Sequence, residues 1–175
     1  ESLPYFYLTN PRRATPRWYA EGIAVFLDTW MAGGLGRAQG PYDEMVFRTL
    51  VRDSSTIYDF VGLESEGTAV DFLAGANSYL YGTRFMSYLA LRYGNDSLLR
   101  WVDRREGSHR YFTAQFREVY GRSLEEEWTR WIAWEQEWQR HWRKVGTPGY
   151  ELPVGGPGQD ERDFLTIART PARER

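Results

Sequence analysis

The 175-residue chain has no cysteine, only two histidines, and almost no imbalance of charge, with 22 basic against 24 acidic side chains. Without cysteine there is no disulfide framework, no thiol nucleophile and no thiolate metal site. A formal net charge of -2, with no strongly basic stretch, leaves nothing to neutralise a phosphate backbone, so nucleic acid is not an expected partner. No apolar run approaches the roughly 20 residues that span a bilayer, and the opening Glu1-Ser-Leu-Pro-Tyr-Phe-Tyr lacks the basic flank and apolar core of a signal peptide. Membrane insertion is therefore not expected. The first residue is Glu and not Met, which suggests a processed chain or a piece of a longer one.

What is abundant is aromatic: 17% of residues are Phe, Trp or Tyr within a 42% hydrophobic total, enough for one sizeable core. The pattern along the chain predicts a mainly α fold of six or so helices with little β. Pro16 to about Met31 reads as a helix with Thr15 as cap and Gly33-Gly34 as stop. Tyr42 to about Arg52 reads as a second helix, with Met45, Val46, Thr49 and Leu50 on one face and Ser54-Ser55 ending it. Short helical pieces and loop follow over 57–76. A firmer helix runs from about Asn77 to Tyr93 and ends at Gly94. Asn95 or Asp96 is placed to cap the next helix, marked by Leu98, Leu99 and Val102. Tyr111 to Tyr120 gives another before Gly121, and Ser123-Leu-Glu-Glu opens the longest, reaching about Lys144. Proline and glycine dominate from Gly146. Residues 1–145 are thus expected to form one helical unit, and 146–175 a linker or the start of an adjoining domain, with Phe164-Leu-Thr-Ile-Ala its only β-leaning segment.

The helix from Pro16 is apolar nearly all round and is expected to be buried. Glu21 and Asp28 are its only acidic residues, two turns apart on one side. A carboxylate in such a helix needs a cation, a metal or hydrogen-bond donors, and an arginine is the ordinary solution. The segment Pro16-Arg-Trp-Tyr-Ala-Glu21-Gly-Ile-Ala-Val-Phe-Leu-Asp28 resembles the P-x-W-x-x-E-G-x-A segment of gluzincin zinc metallopeptidases, particularly the peptidase-MA-like families. Two further segments follow in the order of that family. Tyr79-Leu-Tyr-Gly82 is similar to its tyrosine-bearing helix, and Tyr120-Gly-Arg-Ser-Leu-Glu-Glu-Glu-Trp128 to its F-G-x-S-L-E-E-x-W segment.

The resemblance covers roughly residues 11 to 143 and implies the helical C-terminal subdomain of a zincin-like fold. It implies that Glu21 is the third ligand of a Zn2+ ion and that Tyr79, with Tyr81 as second candidate, donates a hydrogen bond to the oxyanion formed on a peptide or protein substrate. The family's His-Glu-x-x-His helix, which supplies two ligands and the general base, is absent. His109 and His141 stand far apart in sequence and are expected in a loop and on the exposed side of the last helix, in plain structural roles. The histidine helix of this family lies about twenty residues or more before the glutamate helix, so it is expected before Glu1. The chain alone is then expected not to hydrolyse peptides. Relatives of this type are often exported by bacteria.

Two alternatives stand beside the peptidase. Glu21 held by an arginine, on the same scaffold, would make the chain a non-catalytic protein-interaction module. Trp128, Trp131, Trp134, Trp138 and Trp142, at steps of three and four, read as the docking face of an amphipathic helix or, if exposed, as a strip for a partner protein or a glycan.

Overall fold

The computed structural model describes residues 15–65 and 73–145. The opening segment, the Pro/Gly-rich residues 146–175 with Phe164 to Ala168, and the side chain of Trp142 lie outside the described residues. Among those described, the chain forms seven α-helices and one 3-10 turn, with no strand: α1 Arg17–Met31, the turn Arg37–Gln39, α2 Pro41–Arg52, α3 Phe60–Ser65, α4 Leu73–Tyr93, α5 Asn95–Val102, α6 Phe112–Tyr120 and α7 Leu124–Val145. The mainly α expectation holds.

Most helix ends follow from local chemistry. Gly33 and Gly34 adopt φ of 68° and 90°, and their amides close α1 by donating to the Trp30 and Thr29 carbonyls, the six-to-one and five-to-two pattern of a left-handed helix stop. Ser54 does the same for α2 at φ 53°, with Ser55 N–H donating to the Leu50 carbonyl. Gly121 ends α6 in the left-handed region. Ser123 and Glu126 cap α7 reciprocally, each side chain accepting the other's backbone N–H at 3.2 and 2.8 Å. Three expectations shift. Pro16 itself occupies the cap of α1, α4 begins at Leu73, four residues early, and Gly94 precedes α5 with no side-chain cap from Asn95 or Asp96.

α4 is the central helix, and every residue from Leu80 to Ala90 is buried. Phe85 sits at the middle of the aromatic core, with ring centroids 4.7 Å from Trp128, 5.5 Å from Trp131 and 5.8 Å from Trp18. Trp128 and Trp131 are thus fully buried, and the last helix docks on the core as its spacing suggests. Trp134 and Trp138 are half-buried and stacked at 5.2 Å.

α1 packs chiefly against α4, and the two helices touch at glycines. A Cβ added at Gly22 would stand 2.7 Å from the Gly82 Cα. One added at Gly82 would stand 3.0 Å from the Gly22 Cα and run into the Trp18 carbonyl oxygen. Backbone meets backbone there, so neither glycine can be replaced without parting the helices. The side of α1 away from α4 is not buried: Ala20, Ala24, Asp28 and Met31 are exposed. The all-round burial expected from composition is corrected to burial of one side, through Trp18, Tyr19, Gly22, Ile23, Phe26 and Thr29.

α2 also turns a different face inward from the one expected. Met45 and Thr49 are exposed, Val46 and Leu50 are half-buried, and Asp43, Glu44 and Phe47 are buried. The cause is a set of arginines waiting for the two carboxylates. Arg84 on α4, 2% exposed, donates to Glu44 at 2.7 Å and to Glu135 on α7. Gln139 donates to Glu44 at 2.9 Å and to Glu135 at 2.8 Å, and Arg48 donates to Glu44 at 3.1 Å. Two arginines and two glutamates make this network neutral, the condition under which buried charge is tolerated; removing one member typically costs about 3–5 kcal/mol. Glu135 and Gln139, which sequence alone would assign to the polar side of α7, are buried for that reason.

Gly82→Ala is expected to destabilise the fold by about 3 kcal/mol, since the new methyl has only backbone to displace. Ala24→Gly on the exposed side of α1 is expected to cost about 1 kcal/mol through helix propensity alone. Urea denaturation separates the two, and equal effects would mean that the crossing is not close.

Candidate functional site

The crossing decides where the two site residues meet. Glu21 directly precedes Gly22, and Tyr79 lies one helical turn before Gly82, so the contact of the two glycines puts a carboxylate of α1 beside a phenol of α4. Glu21 is the main cause that pushes the Tyr79 phenol above its ordinary value, first by its carboxylate acting as hydrogen-bond acceptor for the hydroxyl. Burial and the carboxylate's charge add to the effect, while Arg17 opposes it. At neutral pH the phenol is neutral, as an ordinary value of about 10 already ensures.

Arg17 is one turn before Glu21, with its Nε 3.6 Å from Oε1, and its guanidinium lies against Gly75 of α4. The arginine partner that composition suggested for Glu21 is thus present. It is a surface pair, with side chains 57% and 27% exposed, and such pairs contribute between 0 and about 1 kcal/mol. Glu21 is held loosely on one side and remains open to solvent on the other. Asp28, two turns along, is exposed and takes no part.

Tyr81 points elsewhere. It is 2% exposed, its ring lies 5.1 Å from Phe47, and its hydroxyl accepts the Tyr58 N–H. Of the two tyrosines only Tyr79 stands at Glu21. A residue that sequence reasoning missed also joins the cluster: the Arg37 guanidinium carbon lies 5.5 Å from the centroid of the Tyr79 ring. Its signal was faint, one arginine in a glycine-rich loop among many arginines, and only the path of that loop over α1 brings it to α4.

The histidines are where the sequence places them. His109 is exposed in the α5–α6 loop, its backbone N–H donating to Gln115 Oε1, and His141 is exposed on α7. Among the described residues no three His, Cys, Asp or Glu side chains come together to hold a metal ion. A peptidase zinc needs three protein ligands and one open position. The described residues therefore do not make a zinc site by themselves; Glu21 offers one oxygen donor. No helix among them is long and apolar enough to cross a membrane.

The chain matches no family model, no curated protein and no solved structure.

In tyrosine-ring-labelled protein, the Tyr79 phenol is expected to ionise above the ordinary value of about 10. Glu21→Gln, which removes the negative acceptor, should bring it down, and Arg17→Met, which removes the opposing cation, should raise it further. A Tyr79 titration unmoved by Glu21→Gln would break the pairing.

Proposed function

We propose that this chain carries the carboxylate ligand and the oxyanion donor of a zinc-dependent metallopeptidase, with Glu21 as the ligand, Tyr79 as the donor, and both histidine ligands and the general base in sequence before Glu1. The observation that supports it most is the adjacency of the two residues. Fifty-eight positions apart in sequence, they belong to separate segments that resemble the same family, and they meet at a glycine crossing that both segments contain.

The surroundings suit these roles. A ligand carboxylate must be reachable, and Glu21 is partly exposed, with a surface pair to Arg17 and Tyr79 beside it. An oxyanion donor must keep its proton at working pH, as a phenol with an ordinary value of about 10 already does. A bound zinc would supply Lewis-acid activation of a water molecule. What this chain would add is a carboxylate and a neutral phenol side by side, with a close helix crossing behind both. The substrate is a peptide or protein, and the chain alone lacks the groups to cleave it.

A second reading rests on the Arg17–Glu21 pair: if Glu21 is merely satisfied by arginine, the scaffold is a non-catalytic interaction module. Metal analysis of the complete parent protein separates the two. The peptidase predicts stoichiometric zinc that is lost in Glu21→Ala and kept in Arg17→Ala. Tyr79→Phe should keep the zinc and lower kcat about 10²- to 10³-fold with little change in KM. Zinc content unchanged by Glu21→Ala would remove Glu21 as a ligand.

A further inference from the structure

Arg37 is held more firmly than an arginine in an exposed loop need be. The loop that carries it is pinned to α1 at three points: Gly34 N–H donates to the Thr29 carbonyl at 2.9 Å, Ala38 N–H donates to the Thr29 hydroxyl at 3.2 Å, and Gly36 lies so close that an added Cβ would stand 2.9 Å from the Thr29 Cα. Thr29 is itself fully buried, its hydroxyl donating back to the Val25 carbonyl. The 3-10 turn that follows therefore has a fixed origin, and Arg37 opens it.

The guanidinium is fixed at its other end as well. Nε and Nη2 both donate to Asp43 Oδ1, at 3.4 and 3.3 Å, and the Asp43 side chain is 2% exposed at the start of α2. Asp43 has good reason to hold on, because Arg37 is the cation paired with it and its Oδ2 meets no donor among the described residues. With one edge taken by Asp43, the guanidinium lies over the ring of Tyr79, 5.5 Å from its centroid, within the range where a cation and an aromatic face attract. The same ring carries the hydroxyl that meets Glu21.

We infer that Arg37, anchored by Asp43, is a positioning residue for Tyr79: it covers the ring and so keeps the phenol turned toward the carboxylate of Glu21. The importance of this for catalysis rests on the peptidase proposal, but the positioning itself does not. Arg37 touches neither Glu21 nor the expected reacting atoms; it acts through the orientation of the tyrosine. The lever matters because a half-exposed tyrosine on a helix surface has more than one rotamer open to it, and a hydrogen-bond donor displaced by about 1 Å can lose a hundredfold in rate.

The test is made on the 175-residue chain by NMR, with tyrosine-ring and arginine side-chain labels and no metal added. In the unmodified chain the Tyr79 ring protons are expected to show a nuclear Overhauser contact with the Glu21 side chain. Arg37→Met should reduce that contact several-fold while leaving the amide spectrum of α4 beyond Gly82 unchanged. Asp43→Asn should reduce it less, and Arg37→Lys, which keeps a cation over the ring, should restore it. An undiminished contact in Arg37→Met overturns the inference. Should Arg37→Met fail to fold, Tyr79→Leu decides. The Arg37 Nε–H resonance, shifted by the ring in the unmodified chain, must move in this variant, and a resonance that stays in place overturns the inference equally. Loss of the peptidase proposal would show as missing zinc and would leave these contacts as they are.

Discussion

Everything near Glu21 depends on one steric fact, that α1 and α4 touch backbone to backbone at Gly22 and Gly82. Side chains at a helix crossing ordinarily keep the axes 8 to 10 Å apart. Where both partners lack a Cβ the helices close further, and residues next to the crossing are pressed into a fixed register. Glu21 is one residue from that point and Tyr79 one turn from it. Their meeting follows from the crossing without any separate device.

Around the crossing the packing is aromatic on one side and ionic on the other. Trp18, one turn before Gly22, fills the space among Phe85, Phe112 and Trp128, and its carbonyl is the surface against which Gly82 lies. On the opposite side α2 and α7 are tied to α4 through Arg84, Glu44, Glu135 and Gln139. The same α2 provides Asp43, which anchors Arg37. The central helix is thus clamped from two directions, and the Glu21 and Tyr79 pair sits on a rigid base with only its outer side open. Side chains on such elements are placed more precisely than on loops.

Local chemistry written in single residues was legible in the sequence: Gly33-Gly34, Ser54, Gly121 and the Ser123–Glu126 capping box end or begin helices where the chain says they do. Glu21 and Tyr79 were singled out only through resemblance, since a lone glutamate and one of twelve tyrosines carry no signal of their own. Three features were hidden because they depend on distant partners. The inward face of α2 is chosen in part by Arg84, 40 positions after Glu44, and in part by Arg37 just before the helix, so an apolar count selects the wrong face. Glu135 looks like a solvent residue until Arg84 is known to face it. Arg37 becomes meaningful only once Thr29 has folded the loop back. Gly22 and Gly82 stood in plain view within the two segments, yet that each exists for the other is a statement about three dimensions.

The central claim is that crossing, and it can be observed directly. In the NMR spectrum of the chain the account predicts strong nuclear Overhauser contacts between the Hα protons of Gly22 and those of Gly82, a pair separated by 60 positions in sequence. Absence of these contacts in a folded chain, with Gly82 instead showing contacts to side chains, would contradict it.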